Sequence, residues 1–279
     1  MLEPGDRVLM AVSGGKDSLA AWSILRELGY DVDGLYIGLG IEGYSDVSRV
    51  FVDEFATARG LKLRVIDLPS EHGFDVPTAA AAVRKVPCAA CGTSKRHLFD
   101  EAARDGRYDA VATGHNLDDE AAVLFGNVLH WDVDYLARQR PVLEAVDGFP
   151  RKVKPLVRLT EREMAAYCVV TGIDYQVDEC PMSVGNRHLG YKDALNAIEQ
   201  RSPGSKAAFY VGFQSRIAPL VQEAAAADRP EMVPCSNCGA PTTAPVDPGA
   251  GFPICGFCRM ADKARDHVPV SVRPTRKRH

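Results

Sequence analysis

Short apolar segments rich in β-branched residues alternate with longer segments of helical periodicity over the first half of the chain. This alternation is typical of a parallel β-sheet covered by helices on both faces. Such sheets bind ligands beyond the carboxyl ends of their strands. The predicted strands are 7–12, 34–38, 63–68 and 108–113, and the predicted helices are 18–28, 45–59, 92–105 and 118–129.

The alternation becomes irregular between residues 136 and 159. This stretch contains six Lys and Arg residues and two acidic residues. Thr160 and Glu163 then have the spacing of a capping box, which opens a helix that ends at Gly172. One long helix is predicted over 206–227, before the break at Asp228-Arg229-Pro230. We therefore expect an α/β catalytic domain over 1–228, a small module over 229–262 and a basic tail over 263–279.

Composition and charge exclude several classes of protein for this chain. With 279 residues, of which 46% are hydrophobic and 25% charged, the chain is neither disordered nor fibrous. It has no apolar run of membrane-spanning length, and Glu3 lies where a signal peptide would be basic, so we expect a cytoplasmic protein. The net charge of -4 gives no overall nucleic-acid signature, but the tail over 263–279 holds six basic residues against one acid. That tail either binds polyanions or is a solvated terminus.

A glycine-containing loop directly follows the first predicted strand and precedes a helix. Gly14 and Gly15 allow a tight turn close to an anion, and the helix N-terminus adds unpaired N–H groups and a positive dipole end. Lys16 adds a cationic charge. The candidate phosphate-binding residues are Ser13, Gly14, Gly15, Lys16, Asp17 and Ser18.

A second polar motif, Thr113-Gly114-His115-Asn116-Leu117-Asp118-Asp119-Glu120, ends the fourth predicted strand. Paired carboxylates opposite a phosphate loop can hold Mg²⁺ or orient an attacking group. Acidic residues also favour helix N-termini without any further role. The coincidence of both motifs at one sheet edge favours a functional site.

Six of the eight cysteines form CxxC pairs, which in a chain without an export signal point to metal or redox chemistry. Cys88 and Cys91 precede a predicted helix, whose N-terminus should lower their thiol pKa values. Cys180 offers a third ligand, so a [4Fe–4S] cluster with one open iron is expected. A persulfide relay and a zinc site remain alternatives. Cys168, in an apolar helical stretch, is expected to be buried as a small hydrophobic residue.

The second cysteine cluster has the spacing of a zinc ribbon. Four thiolates complete a tetrahedral Zn²⁺ site, so its role is expected to be structural. The ribbon either grips RNA phosphates or only folds this part of the chain. Its ligands are Cys235, Cys238, Cys255 and Cys258.

The loop SGGKDS and the motif GHNLDD resemble those of the PP-loop ATP pyrophosphatases. Together with CxxCGxxKR and the later Cys-Pro, they resemble the TtuA/TtcA family of tRNA 2-thiolation enzymes, and most of all its TtuA branch, which modifies uridine 54. The resemblance covers residues 3 to 262. It implies that Cys88, Cys91 and Cys180 hold the cluster. It also implies catalytic roles for Lys95, Asp119 and Asp17, and ATP contacts from the loop 13–18, Ile37, Lys95 and Gly114.

The resemblance predicts that the C2 oxygen of a tRNA uridine is adenylated by ATP with Mg²⁺ and then replaced by sulfur. It also implies a homodimer and a sulfur donor such as a ubiquitin-like thiocarboxylate protein. Alternatives are thiolation of wobble uridine 34 or cytidine 32, and a non-catalytic zinc-ribbon RNA-binding protein. TtuA-like proteins usually have another zinc module before the phosphate loop, whereas 12 residues precede Ser13 here. We expect either a branch without that module or a start codon assigned too far downstream.

Overall fold

The computed structural model describes residues 1–226, 230–245 and 251–267. A six-stranded sheet with the order β3-β2-β1-β4-β6-β5 forms its centre. Neighbouring strands are parallel except for the antiparallel pair β5 and β6 at one edge. The strands are β1 (Arg7–Val12), β2 (Asp31–Gly38), β3 (Leu63–Asp67), β4 (Ala110–Thr113), β5 (Val142–Leu143) and β6 (Arg151–Val153). The predicted α/β class with a parallel sheet is confirmed.

The helices connect and cover these strands. They are α1 (Lys16–Glu27), α2 (Ser45–Ala58), α3 (Val76–Val83), α4 (Pro87–Gly106), α5 (Leu117–His130), α6 (Val133–Ala137), α7 (Glu161–Thr171), α8 (Arg187–Arg201), α9 (Ser205–Arg216), α10 (Ala218–Ala226) and α11 (Gly256–Arg265). A π-helical turn covers Leu68–His72 and a 3₁₀ turn covers Pro181–Ser183. The predicted capping box of Thr160 and Glu163 is present at the start of α7.

The two faces of the sheet bury separate cores. Met10 and its same-face neighbours pack against α1, α2 and α7. On that face a side chain at Gly34 would lie 2.4 Å from the Trp22 ring, so the close approach of α1 requires glycine there. Leu9 and its same-face neighbours pack against α3, α4 and α11. Alternating residues along each strand therefore serve opposite cores.

Some predicted boundaries were wrong. The helix expected over 206–227 is two helices, α9 and α10, separated at Ile217. The helix expected over 92–105 begins earlier, at Pro87, because proline is favoured in the first helical turn, where its missing N–H costs no hydrogen bond. Cys88 and Cys91 therefore lie within the first turns of α4 rather than ahead of it.

The C-terminal cysteines lie on a short hairpin and on the last described helix. The hairpin strands are β7 (Met232–Pro234) and β8 (Pro241–Thr243), which pair antiparallel. The predicted domain boundary at 228/229 and residues 268–279 of the predicted basic tail lie outside the described residues. Within the described ranges, every helix is too short or too polar to cross a membrane.

Candidate functional site

The phosphate loop lies between β1 and α1 and is held by its own serines. The backbone N–H of Ser13 donates to Ser18 Oγ over 3.1 Å, and that hydroxyl donates to the carbonyl of Gly15 over 2.9 Å. Gly14 has φ +82°, and a Cβ there would lie 2.6 Å from the carbonyl oxygen of Ser48. The loop therefore requires glycine at this position both for its backbone conformation and for its contact with α2.

A cleft of about 290 Å³ opens at the carboxyl edge of β1, β2 and β4. Its walls contain residues from both predicted motifs and from α4. Aromatic side chains that the sequence did not single out, Tyr44 and Phe99, complete its lining. The predicted site residues that line it are Ser13, Gly15, Asp17, Ser18, Ile37, Lys95, Gly114 and Asp119.

The two motifs touch at Gly114. A Cβ at this position would lie 2.8 Å from the backbone atoms of Asp17 and Ser18. Since backbone atoms cannot yield as a flexible side chain can, the end of β4 reaches the start of α1 only with glycine here. This contact brings the second motif beside the phosphate loop.

Lys16 departs from the other loop residues because its side chain turns away from the cleft. Its Nζ lies 2.6 Å from Glu161 Oε1 and 3.2 Å from Asp17 Oδ2. The other oxygen of Glu161 lies 3.0 Å from Lys192 Nζ, which also lies 2.8 Å from Asp119 Oδ1. Two lysines and three carboxylates thus form one continuous chain of ion pairs.

Asn116 connects the two ends of this chain. Its side-chain Nδ2 donates to Asp17 Oδ1 over 3.1 Å, and its Oδ1 accepts from the backbone N–H of Asp119 over 3.0 Å. Burial raises the pKa of Asp17 even though Lys16 and Asn116 act in the opposite direction. Burial also opposes ionisation of Glu161, but hydrogen bonds from Lys16 and Lys192 outweigh it and lower its pKa.

The adjacent carboxylates of the second motif have different surroundings. Asp118 is buried, forms an ion pair with Lys206, and accepts a 2.8 Å hydrogen bond from the backbone N–H of Glu161. Asp119 lines the cleft. Asp118 therefore anchors α7, whereas Asp119 faces the candidate site.

The thiols of Cys88, Cys91 and Cys180 come together at the start of α4. The Cys88 thiol donates to the carbonyl of Met182, with the sulfur and oxygen 3.7 Å apart. Burial raises the pKa of Cys88, and the thiols of Cys91 and Cys180 raise it further. The expected lowering of the thiol pKa is thus wrong for Cys88, because burial and neighbouring sulfur atoms outweigh the helix N-terminus.

Tyr44 lies between these thiols and the cleft. Burial raises its pKa to about 12, with Cys180, Tyr36 and Cys91 contributing in the same direction. Tyr44 also lines the cleft, so one side chain that lines the cleft is close to Cys91 and Cys180. The predicted burial of Cys168 is confirmed, at 1% exposure.

The four C-terminal cysteines form a compact ligand set, with sulfur atoms that all lie within 4.8 Å of one another. Cys238 Sγ and Cys255 Sγ are 3.7 Å apart, against about 3.8 Å for sulfurs on a tetrahedron with ~2.3 Å zinc–sulfur bonds. Burial opposes ionisation of Cys235, but backbone N–H donors, including that of Cys255, lower its pKa to about 6. The donor set fits the zinc ribbon that the sequence predicts.

Sequence reasoning missed Lys192, Lys206 and Tyr44, and it treated Glu161 only as part of a capping-box segment. The position of Glu161 directly after Thr160 gave no sign of its contact with the phosphate loop. Lys192 belongs to α8, a helix that the sequence did not predict. No local motif marks either residue, because their contacts depend on how α7 and α8 fold back toward α1.

Comparisons with known proteins show the family to which the chain belongs. No protein-family model matches the chain. The chain is 46% identical, over 98% of its length and 84% of the relative, to the tRNA-5-methyluridine(54) 2-sulfurtransferase of Thermus thermophilus. The protein of that name from Thermotoga maritima is 35% identical over 97% of this chain and 86% of the relative.

A solved structure extends the comparison to three dimensions. The U34-tRNA thiolase NcsA from Methanococcus maripaludis with its [4Fe–4S] cluster matches with a TM-score of 0.75 and 25% identity, over 94% of this chain and 82% of that one. The fold is that of a PP-loop ATP pyrophosphatase domain with a C-terminal four-cysteine cluster that fits a zinc ribbon, and the relatives are tRNA-thiolating enzymes. Within that class, the chain belongs to the tRNA-5-methyluridine(54) 2-sulfurtransferase family.

Proposed function

We propose that this enzyme uses ATP to replace the C2 oxygen of uridine 54 in tRNA with sulfur. One observation carries the proposal: a single cleft is lined by the phosphate loop, by Lys95 and by Tyr44, whose pKa is influenced by Cys91 and Cys180. Adenylation of the C2 oxygen and addition of sulfur to C2 act on the same carbonyl group, so their residues have to meet at one place. The relative from Thermus thermophilus, whose name specifies position 54, supports the choice of uridine.

ATP is the proposed nucleotide. The amides and hydroxyls of the loop Ser13–Ser18 suit phosphate oxygens, and Gly114 keeps backbone contact with the loop without filling the cleft. Ile37 and Phe99 offer an apolar wall for the adenine ring. Asp17 and Asp119 provide the oxygen ligands that Mg²⁺ prefers.

In the first step the C2 oxygen of the uracil attacks the α-phosphorus of ATP. The bond between the α-phosphorus and the bridging oxygen breaks, and pyrophosphate leaves with its electron pair. Lys95 in the cleft and Lys16 at the loop stabilise the negative charge that develops on the phosphates. Asp119 orients the uracil or the magnesium ion.

In the second step sulfide adds to C2, the bond from C2 to the adenylated oxygen breaks, and AMP leaves. Sulfur enters at the oxidation level of sulfide, so this step needs neither an oxidant nor a reductant. Three thiolates would hold a [4Fe–4S] cluster with one position left for a non-protein ligand, and such a cluster would supply a place at which sulfide binds. Cys88, Cys91 and Cys180 would hold that cluster beside the nucleotide cleft.

The remaining assignments concern the ribbon and the partners. Cys235, Cys238, Cys255 and Cys258 would hold a structural Zn²⁺, since four thiolates leave no open position for catalysis. A ubiquitin-like protein ending in a thiocarboxylate is the proposed sulfur donor. We also propose a homodimer that works in the cytoplasm on tRNA.

The test is mass spectrometry of tRNA nucleosides from a deletion strain complemented with the wild type or with variants. Loss of 2-thiolation at position 54 in the deletion strain, restored by the wild type, is expected. Loss at wobble uridine 34 instead would move the assignment toward the activity named for the Methanococcus maripaludis neighbour. Unchanged thiolation at both positions would favour the non-catalytic RNA-binding alternative.

Two variants test the active site within the same experiment. Lys95→Ala and Asp119→Ala should each reduce thiolation by roughly 10²-fold or more, because each removes preorganised charge from the cleft. Lys85→Ala, at an exposed position outside the cleft, is the matched control and should thiolate normally. Near-normal thiolation by both cleft variants would refute these assignments.

A further inference from the structure

Lys192 occupies an unusual position for a lysine on a polar helix. Its side chain is only 21% exposed, and its Nζ lies between Asp119 Oδ1 at 2.8 Å and Glu161 Oε2 at 3.0 Å. A lysine loses considerable side-chain freedom when it is held between two carboxylates. Lys192 does not itself line the nucleotide cleft, but its ammonium group is paired with Asp119, which does.

Glu161 holds this lysine and Lys16 at the same time, one on each carboxylate oxygen. Glu161 is itself fixed, because its backbone N–H donates to Asp118, a buried residue paired with Lys206. Glu161 does not line the nucleotide cleft but the neighbouring one, of about 780 Å³, on the other side of the loop. The cation of the phosphate loop and a second cation are therefore both bound to a carboxylate just outside the nucleotide site.

The net charge of this chain of ion pairs indicates how it would respond to a bound triphosphate. Asp17, Asp119 and Glu161 carry three negative charges against the two positive charges of Lys16 and Lys192. A triphosphate that enters the cleft adds several more negative charges next to carboxylates already in poorly hydrated surroundings. Lys95 in the cleft and the proposed Mg²⁺ meet part of this charge. A further lysine on its flexible four-carbon stem can move toward the phosphates without backbone movement.

We propose that Lys192 is a second phosphate-binding lysine of the nucleotide site, held with Lys16 by Glu161 until the triphosphate displaces that carboxylate. This inference rests on the proposed use of ATP. Lys192 then contacts the phosphates together with Lys16 and stabilises the pyrophosphate as it leaves. Glu161 competes with the nucleotide for both lysines and so weakens binding of any ligand that cannot displace it.

If Glu161 competes with the nucleotide for the two lysines, substitutions of Lys192 and of Glu161 should change the affinity for ATP in opposite directions. Lys192→Gln removes a charge-assisted contact and should weaken ATP binding by about tenfold or more. Lys192→Arg keeps the charge and should retain most of the affinity. Glu161→Gln removes one of the two carboxylates that hold each lysine and should tighten ATP binding by roughly threefold to tenfold. A purely structural network would instead lose affinity in every variant that breaks it.

The experiment is isothermal titration calorimetry of the full-length protein with ATP and Mg²⁺, with thermal melting of each variant as a check of folding. Lys85→Gln is the matched control for a lost lysine and should bind as the wild type does. A wild type that does not bind ATP would overturn the proposed function. A wild type that binds, with unchanged affinity in Lys192→Gln or weakened affinity in Glu161→Gln, would overturn this inference and leave the proposed function intact.

Discussion

The imidazole ring of His97 stacks on the phenyl ring of Phe257, with centroids 4.1 Å apart and planes 11° from parallel. His97 lies two residues after Lys95 on α4, and Phe257 precedes the metal ligand Cys258 on α11. The helix that carries two of the three predicted cluster thiols is thus in direct contact with the helix of the four-cysteine site. Phe257 also packs near His72 and Phe74, which places its ring at the centre of this contact.

We predict that Phe257→Ala destabilises the protein by about 3–5 kcal/mol, since it removes a buried aromatic ring from a packed interface. Urea denaturation measures the change in the free energy of unfolding. Phe252→Ala, at a phenylalanine that is 84% exposed, is the matched control and should change that free energy little. Equal effects of the two substitutions would mean that the stacked contact contributes nothing.

The free energy of unfolding should depend on pH through the ionisation of His97. Burial, with Arg104 and His72, lowers the pKa of His97 from 6.5 to about 4. Between these two pH values the unfolded chain binds a proton that the folded chain does not, so stability falls as the pH drops below 6.5.

His97→Phe keeps an aromatic ring against Phe257 but cannot ionise. Between about pH 7 and pH 5.5 the wild type should lose roughly 1 kcal/mol more stability than this variant, after allowance for partial exposure of the histidine. Urea denaturation at both pH values gives the difference. Identical pH dependence of the two proteins would show that His97 titrates normally.

Removal of the C-terminal metal should destabilise the catalytic domain and not only the ribbon. Phe257, Met260 and Ala261 belong to the same buried cluster as Leu9 of the central sheet. Chelation of the zinc, or Cys255→Ser, should therefore lower the midpoint of the main unfolding transition in calorimetry. A small separate transition with an unchanged main one would instead show that the ribbon is an independent unit.

The two cysteine clusters should lose their metals independently. Cys88→Ala, Cys91→Ala and Cys180→Ala should each abolish the brown iron–sulfur absorbance of anaerobically purified protein and leave about one zinc per chain, since four other thiols complete that site. Cys168→Ala is the control, because this thiol is buried beside the Lys16 carbonyl and should not affect iron content. Iron that persists in the first three variants, or zinc that is lost, would overturn the division of ligands.

Gly114→Ala should weaken ATP binding, because the added methyl group would push β4 away from the backbone of Asp17 and Ser18. A loss of about tenfold in affinity is expected, as misplaced loop amides no longer meet the phosphates. Gly212→Ala, in α9 with open space around the added Cβ, should bind ATP normally. Fluorescence titration with a labelled ATP analogue would reveal the difference.

Much of the site could be predicted because parallel strands all end at one edge of their sheet. The phosphate loop follows β1 and Gly114 follows β4, which are neighbours, so the two motifs had to meet. In contrast, Leu195 is the one buried residue of α8, a helix that the structure describes completely, so no apolar stripe marked this helix in the sequence. The role of Lys192 depends on tertiary contacts that no local pattern encodes.

The ribbon illustrates a second limit of sequence reasoning. The spacing of Cys235, Cys238, Cys255 and Cys258 was enough to predict a closed metal site, because ligand geometry is local. That spacing gave no indication that α11 packs its apolar side against α3 and α4. From the sequence, the module over 229–262 was expected to be a small separate unit. In the structure its helix, α11, contributes residues to the core that contains Leu9.

The place of α11 in this core also constrains the order in which the protein matures. A ribosome delivers all six strands of the sheet and both predicted active-site motifs before it delivers α11. The apolar sides of α3 and α4 against which α11 packs therefore stay uncovered until the C-terminal cysteines have emerged. Because α4 also carries Lys95, which lines the cleft, the supports of the cleft are complete only after the last described helix has been made.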